Sequence, residues 1–379
     1  MTSSPRIAAI DIGTNTVLLL VAERGPDGAP QAVEEHATIT RLGQGVDRTR
    51  TLHQDAIART TACLDAYGAI VKRLGVERIA VVGTSAMRDA RGGEVIQEHI
   101  RKVFGVDLRV IGGDEEAELT FAGALVGLPS AEPGSEATNA PASKAAEPDG
   151  RREHGREVFV FDIGGGSTEV VRGTIEHPGA HAASGLDEGS TTADGAERHA
   201  GRGSVGYEKS FDVGSVRLTE RHVRSDPPSR DELDTITREL RATFAELPPL
   251  TGDMPPIGIA GTMTTLAAVS MQMTTYDGTR VHGKRLPTSE LRRVVEYLAS
   301  LPLAARREVP GLEPKRADVI VAGGLVALAL LEHWGAESVV ISDRGVRWGL
   351  AVALCRSAAT LSGEVSVPSQ KTPKNALEI

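Results

Sequence analysis

Cysteine is scarce in this 379-residue sequence, which argues against a secreted scaffold held together by disulfides. The two cysteines, Cys63 and Cys355, lie in apolar patterns typical of helices and show no metal-ligand spacing. We interpret both as buried thiols in a reducing compartment, with a disulfide between them as the alternative. This interpretation predicts a cytoplasmic location.

Aromatic side chains are also few, at 3% of the sequence, so its cores must depend on Val, Leu, Ile and Ala. No run of apolar residues is long enough to span a membrane, and polar residues interrupt the N-terminal apolar pattern too early for a signal peptide. An excess of positive charge is missing as well, because 42 basic residues face 51 acidic ones, giving a net charge of −9. We therefore predict no membrane partner and no general nucleic-acid binding.

Length and composition predict two domains separated by a low-complexity segment. Residues 129–156 and 176–203 lack apolar periodicity and have a polar, Ala-, Pro- and Gly-rich composition typical of disordered segments. We predict a first lobe at 1–128, a disordered linker or insertion at 129–156 and a second lobe at 157–358. The second lobe contains the disordered insertion at 176–203, and a flexible tail follows at 359–379.

The most informative stretch is residues 158–170, VFVFDIGGGSTEV, in which bulky β-formers predict a buried strand that ends at a glycine-rich turn. Three consecutive glycines let a backbone approach a ligand closely and direct its N–H groups at an anion. Ser167 and Thr168 add hydroxyl donors, while Asp162 and Glu169 have the charge to hold a cation shared with phosphate oxygens. A glycine-rich hairpin without a ligand is the alternative for this stretch on its own.

The same design occurs about 150 residues earlier, in residues 7–23, IAAIDIGTNTVLLLVAE. An apolar strand there leads into Asp11, Gly13, Thr14 and Asn15, and a second apolar strand follows. The two copies share an Asp-Ile-Gly sequence followed by small hydroxyl-bearing residues. This internal repeat predicts two related lobes that face a shared cleft.

Two further strand ends supply charged candidates. The strand RIAVVG at 78–83 ends shortly before Arg88, a permanent, fork-shaped cation suited to phosphate at the carboxyl end of a sheet. The alternative for Arg88 is an ordinary place on a helix surface. The segment GGDEEAEL at 112–119 concentrates acidic residues of the kind that cap a helix and complement its dipole. A carboxylate of this segment that faced the cleft would be placed to act as a general base on water.

These stretches, in this order, resemble the actin, Hsp70 and sugar-kinase superfamily. More narrowly, the chain resembles the exopolyphosphatase/guanosine pentaphosphate phosphohydrolase (Ppx/GppA) family in its short two-domain form. The resemblance rests on seven motifs between Ile7 and about Ala358: AAIDIGTNT, GTSAMRDA, GGDEEAEL, FDIGGGSTEVV, FDVGSVRLTE, GIAGTMTTLAA and VAGGLVALALL. It implies an α/β fold of two actin-like (ribonuclease H-like) lobes with a phosphate-binding cleft between them.

The resemblance also implies roles for individual residues. Glu116 matches the family's catalytic glutamate, which activates the attacking water, and Arg88 matches an arginine that contacts the substrate phosphate. Asp162 and Glu169 match carboxylates associated with a divalent cation, Mg²⁺ or Mn²⁺, and we expect Asp11 to join them. The residues expected to hold the phosphoryl group are Thr14, Asn15, Gly165, Gly166, Ser167 and Thr168.

The activity that the resemblance implies is Mg²⁺-dependent hydrolysis of a phosphoanhydride, which releases orthophosphate from the end of inorganic polyphosphate. The same chemistry on guanosine pentaphosphate, with its link to the stringent response, is the nearest alternative. A nucleotide-binding regulator of the same fold that does not hydrolyse its ligand, and a carbohydrate kinase, also stay open. The resemblance is compatible with a homodimer.

Two details of the sequence depart from, or add to, the family pattern. Where family members often read Leu-Arg-Glu-Gly, this chain has Trp348 in place of the glutamate, and we assign that segment no role.

A long polyanion also needs cations along its path. The candidates for such a channel are Arg41, Lys209, Arg217, Arg224, Lys284 and Arg285.

Overall fold

The computed structural model describes residues 4–26, 28–128, 156–175, 203–252 and 254–361. The predicted linker, insertion and tail therefore lie almost entirely outside the described residues. Within the described residues, eleven strands form two mixed sheets, and helices cover them.

The first sheet is built from the N-terminal third of the chain. Its strands are β1 Ile7–Ile12, β2 Thr16–Arg24, β3 Pro30–Ile39, β4 Arg78–Gly83 and β5 Leu108–Val110. They lie in the order β3-β2-β1-β4-β5, so β1 is central and buried along its whole length. The helices of this part are α1 Val46–Thr49, α2 Gln54–Arg73, α3 Ser85–Asp89, α4 Glu94–Phe104 and α5 Gly113–Ala124.

The second sheet follows from residue 156 onward. Its strands are β6 Arg156–Ile163, β7 Thr168–Ile175, β8 Gly203–Phe211, β9 Ile257–Ile259, β10 Arg285–Pro287 and β11 Ser338–Ile341, in the order β10-β11-β9-β6-β7-β8. The helices are α6 Ser215–His222, α7 Arg230–Phe244, α8 Ala260–Ser270, α9 Gly278–Val281, α10 Thr288–Ser300, α11 Leu303–Arg306, α12 Ile320–Trp334 and α13 Val346–Leu361, with a 3₁₀ turn at Pro314–Arg316.

Both sheets contain a hairpin of the same design. β1 pairs antiparallel with β2 and parallel with β4, while β6 pairs antiparallel with β7 and parallel with β9. Residues 13–15 turn the first hairpin, and residues 164–167 turn the second. The predicted repeat is therefore present as two matching strand arrangements, and the predicted α/β fold is confirmed.

Two helices pack on the sheet that the other part of the chain forms. α5 contributes Ala117 and Phe121 to a core with strands of the second sheet. α13 contributes Val346 and Leu350 to a core with strands of the first sheet. Each of these helices thus packs on the sheet of the other predicted lobe. The division of the chain into lobes stays a prediction.

Glycines allow α5 and α13 to cross at close range. A Cβ atom on Gly123 would collide with the carbonyl oxygen of Gly345, and one on Gly349 would collide with that of Leu119. Since any side chain would force the two helices apart, only glycine fits this crossing. The crossing holds α5, and with it Glu116, against both halves of the molecule.

Both cysteines are buried free thiols, as predicted from their apolar surroundings. Burial raises the pKa of Cys63 and of Cys355, which keeps both thiols protonated and chemically inert. Among the described residues, we find no helix with both the length and the apolar character needed to cross a membrane.

Candidate active site

The two hairpin turns face one cavity with a volume of about 940 Å³. Its lining includes eight of the eleven predicted site residues: Asp11, Thr14, Asn15, Glu116, Asp162, Gly165, Ser167 and Glu169. These residues come from β1, β6, β7, α5 and the two turns, so the fold gathers parts of the chain that lie far apart in sequence.

The glycines of the second turn permit close contact with the first part of the chain. A Cβ on Gly165 would lie 3.0 Å from Cγ2 of Thr14, and a Cβ on Gly166 would lie 2.7 Å from Oγ of Ser85. These distances are shorter than ordinary carbon contacts, so a side chain at either position would displace its neighbour. The absence of side chains at Gly165 and Gly166 thus lets the backbone of the second turn lie against Thr14 of the first turn and against Ser85.

The remaining three predicted residues do not line the cavity. The hydroxyl of Thr168 points away from it, because Oγ1 donates a hydrogen bond to the carbonyl oxygen of Val213 at 2.6 Å and the side chain is fully buried. Gly166 lies in a small neighbouring pocket. The Thr168 hydroxyl therefore supports a loop instead of facing a ligand, which corrects its predicted role as a phosphate donor.

Arg88 lies behind the cavity wall and reaches the site through Glu116. Its Nη1 donates to Oε2 of Glu116 at 3.2 Å. Burial raises the pKa of Glu116 well above its usual range, and the charges of Glu169, Asp11 and Asp162 raise it further, while Arg88 lowers it. Glu116 is thus a buried acidic group that lines the cavity and is held by Arg88, a position from which it can contact a water molecule in the cavity.

Three further carboxylates of the cavity, Asp11, Asp162 and Glu169, also have raised pKa values. Burial raises the pKa of Asp11 to about 7, with Arg347 opposing and Glu169 adding to the effect. Burial raises the pKa of Asp162 well above its usual range, and the charges of Glu169 and Asp11 act in the same direction. Burial likewise raises the pKa of Glu169, although hydrogen bonds such as the one from Oγ of Ser210, at 2.9 Å, lower it.

These carboxylates fit a divalent cation. Oδ1 of Asp11 is buried without a hydrogen-bond partner, and such an orphaned oxygen is costly unless a ligand satisfies it. Within the described ranges, no three His, Cys, Asp or Glu side chains are gathered closely enough to hold a metal by themselves. Mg²⁺ commonly takes only one or two carboxylates and completes its shell with water and substrate phosphate, so the arrangement suits that ion bound together with a phosphate.

The six cations that we expected along an anion channel do not line the cavity. Arg41 makes a bidentate pair with Asp318 at 2.7 and 2.8 Å, and Lys209 pairs with Glu246 at 2.6 Å. Carboxylates outside the cavity thus hold Arg41 and Lys209, and these pairings cannot be read from sequence position alone. The cations that line the cavity within the described residues are Lys315, Arg316 and Arg347.

Sequence reasoning also missed several residues that shape the site. Ser210 orients Glu169, and its only signal is a place four residues before the glycine of the FDVGSVRLTE motif. Ser85 lies between the two turns and belongs to the same motif as Arg88. Arg347 belongs to the segment VRWG, to which the sequence comparison with the family pattern assigned no role.

Comparison with known proteins agrees with these features. The model described as the Ppx/GppA phosphatase family matches residues 20–135 and 150–358. Exopolyphosphatase 2 of Mycobacterium tuberculosis is 34% identical over 364 residues, which cover 92% of this chain and 98% of that protein.

Solved structures show the same likeness. An exopolyphosphatase-like protein superposes with a TM-score of 0.72 at 29% identity, covering 93% of this chain and 99% of that one. The PPX-GPPA enzyme of Aquifex aeolicus superposes with a TM-score of 0.66 at 28% identity, covering 92% of this chain and 99% of that one. Both superpositions cover nearly the whole length of the two chains compared.

Proposed function

Because the chain belongs to the Ppx/GppA phosphatase family, we propose that it hydrolyses the terminal phosphoanhydride bond of inorganic polyphosphate and releases orthophosphate. The observation that carries this proposal is that Glu116, Asp11, Asp162 and Glu169 line the same cavity as the two hairpin turns. Phosphoryl transfer requires positioning and charge stabilisation more than covalent chemistry, and this combination supplies both.

In the proposed mechanism, backbone N–H groups of the two turns and the side chains of Thr14, Asn15 and Ser167 bind the terminal phosphoryl group. The oxygen of a water molecule attacks the terminal phosphorus, and Glu116 accepts a proton from that water molecule. The bond from that phosphorus to the bridging oxygen breaks, and the bridging oxygen leaves on the shortened chain. Arg88 holds Glu116 in place through the bond at 3.2 Å.

In this proposal, one or two of the expected ligands Asp11, Asp162 and Glu169 would hold Mg²⁺ or Mn²⁺, and water and substrate phosphate would complete its shell. The ion would offset the charge of the phosphate oxygens and of the carboxylates around them. Glu169 is oriented by Ser210, while Asp11 and Asp162 lie at matching ends of β1 and β6. The repeat of the two hairpins thus places one candidate ligand on each side of the cleft.

Guanosine pentaphosphate is a second candidate substrate, and the volume and lining of the cavity support it. A volume of about 940 Å³ exceeds the space that a phosphoryl group needs and falls in the range of cavities that hold drug-sized ligands. Its lining continues past the carboxylates to Thr264, Tyr276 and Arg316, where a nucleoside would meet hydroxyls, an aromatic ring and a cation. Nη2 of Arg316 donates to Oγ1 of Thr16 at 3.1 Å, which fixes that cation at the cavity wall.

Orthophosphate release with Mg²⁺ from both substrates, at matched concentration of terminal phosphate, tests the proposal. Release from polyphosphate alone supports an exopolyphosphatase, and comparable or faster release from the nucleotide supports a pentaphosphate hydrolase. If a folded protein released no orthophosphate from either substrate, the result would overturn the proposal and favour a non-hydrolytic regulator. A cytoplasmic location, a role in the stringent response and a homodimer stay predictions.

A further inference from the structure

The last helix brings into the cavity an arginine that the mechanism above does not use. Arg347 lies in the first turn of α13, and its side chain lines the cavity although only 13% of it is exposed. The carboxylates of the lining are Asp11, Glu35, Glu116, Asp162, Glu169, Glu313 and Asp343. Because the described lining holds seven carboxylates and only three cations, each cation strongly affects how a polyanion binds.

Glu35 on β3 holds the guanidinium group of Arg347. Nη2 and Nε of Arg347 donate to Oε2 of Glu35 at 2.8 and 3.2 Å, and Nη2 also donates to the carbonyl oxygen of Asp343 at 3.1 Å. The indole Nε1 of Trp348 donates to the same oxygen of Glu35 at 3.2 Å. These bonds fix the plane of the guanidinium group and leave Nη1 without a hydrogen-bond partner among the described residues.

Arg347 and Arg88 act on different carboxylates of the site. Burial raises the pKa of Asp11, and the positive charge of Arg347 is the strongest influence against that rise. Arg88 instead opposes the raised pKa values of Glu116 and Glu169. Arg88 bonds Glu116 directly, whereas Arg347 bonds Glu35, so the two arginines are held by different carboxylates of the lining.

We propose that Arg347 binds phosphate oxygens of the substrate in the part of the cavity lined by Glu35 and Asp343, and that Glu35 and Trp348 are its positioning residues. This inference rests on the proposed function. A guanidinium group donates strong, charge-assisted hydrogen bonds to phosphate, and its Nη1 group is available here in a fixed orientation. The competing explanation is that the pair with Glu35 only ties α13 to β3, which would affect stability and leave substrate binding unchanged.

The test compares Arg347→Gln with Arg73→Gln. Arg73 is a matched control because it pairs at 2.8 Å with Glu34, the neighbour of Glu35 on the same strand, and does not line the cavity. Titration calorimetry measures the binding of tripolyphosphate in the presence of Mg²⁺, with both substitutions also made in Glu116→Gln protein so that the ligand is not consumed. Orthophosphate release is followed in parallel in the proteins that keep Glu116. We expect Arg347→Gln to weaken binding by at least about tenfold and Arg73→Gln to stay within about twofold of the wild type.

Equal affinities of the two variants would overturn the inference. Tight binding of tripolyphosphate by a wild-type protein that releases no orthophosphate would overturn the proposed hydrolysis and leave the binding role of Arg347 standing. A wild-type protein that does not bind tripolyphosphate contradicts both.

A second variant, Trp348→Phe, covers the case in which Arg347→Gln does not fold. It keeps a ring against which Arg344 stacks at 4.1 Å and removes the N–H group that donates to Glu35. We expect it to raise KM by about threefold, since the orientation of Arg347 loosens, with a smaller effect on kcat. An unchanged KM contradicts the positioning role of Trp348.

Discussion

The substitution Glu116→Gln tests the proposed general base with little change of shape. Only 6% of Glu116 is exposed, and its Oε2 accepts a hydrogen bond from Arg88 at 3.2 Å. A glutamine amide oxygen can accept the same bond and fills nearly the same space. The amide cannot take a proton from water at neutral pH, so the substitution removes the base and retains the geometry.

The expected loss can be given a magnitude. A positioned general base contributes about 10²- to 10⁴-fold to a rate, which corresponds to about 3 to 5 kcal/mol of activation free energy. The thermal midpoint should not fall. Burial and the charges of Glu169, Asp11 and Asp162 raise the pKa of Glu116, so the folded protein disfavours its charged form. A neutral amide removes that cost.

The assay measures initial rates of orthophosphate release from polyphosphate with Mg²⁺, and Glu115→Gln is the control. Glu115 lies in the same first turn of α5, pairs with Arg109 at 2.9 Å and does not line the cavity. A rate for Glu116→Gln within about threefold of the Glu115→Gln rate would refute the assignment, because no base would then have been lost. A large, equal loss in both variants would instead indicate damage to the start of α5.

Three further predictions concern Gly166, Asp11 and, outside the site, Glu232. Gly166→Ala places a Cβ 2.7 Å from Oγ of Ser85, so kcat/KM should fall by at least about tenfold in the phosphate-release assay while the protein stays folded. Asp11→Asn should raise the Mg²⁺ concentration for half-maximal activity by about tenfold, measured by metal titration, and an unchanged requirement would exclude Asp11 as a ligand. Hydrogen bonds to Glu232, above all the one from the side chain of Ser225, lower its pKa from 4.5 to about 2. The stability they provide is therefore present above pH 4.5 and lost towards pH 2, and melting curves of Glu232→Gln should converge with those of the wild type only at the acidic end.

Much of the site can be predicted from local patterns. Asp11 and Asp162 each end an apolar strand and precede glycines, so their position at the carboxyl ends of the two sheets follows from the strand pattern. Glu116 is different, because several acidic residues share its segment and only the family resemblance selects it. The structure adds a physical reason for the selection, since Glu116 is buried in the cavity wall while Glu115 faces solvent.

Contacts between distant parts of the chain escape such prediction. Glu35 and Arg347 lie 312 residues apart, so no local pattern relates them. Thr168 directly follows Ser167, yet β7 begins there and turns its hydroxyl towards Val213. The exchange of α5 and α13 between the sheets likewise depends on tertiary packing, which neither hydrophobic periodicity nor composition reports.

The central claim is that water attacks the terminal phosphorus of a phosphoanhydride chain in this cavity. A single-turnover reaction of polyphosphate in water labelled with a heavy oxygen isotope tests it most directly, with mass analysis of orthophosphate and of the remaining chain. The account predicts one labelled oxygen in the released orthophosphate and an unlabelled chain that is one phosphate shorter. Label at the end of the remaining chain, or fragments cut from its interior, would contradict the account.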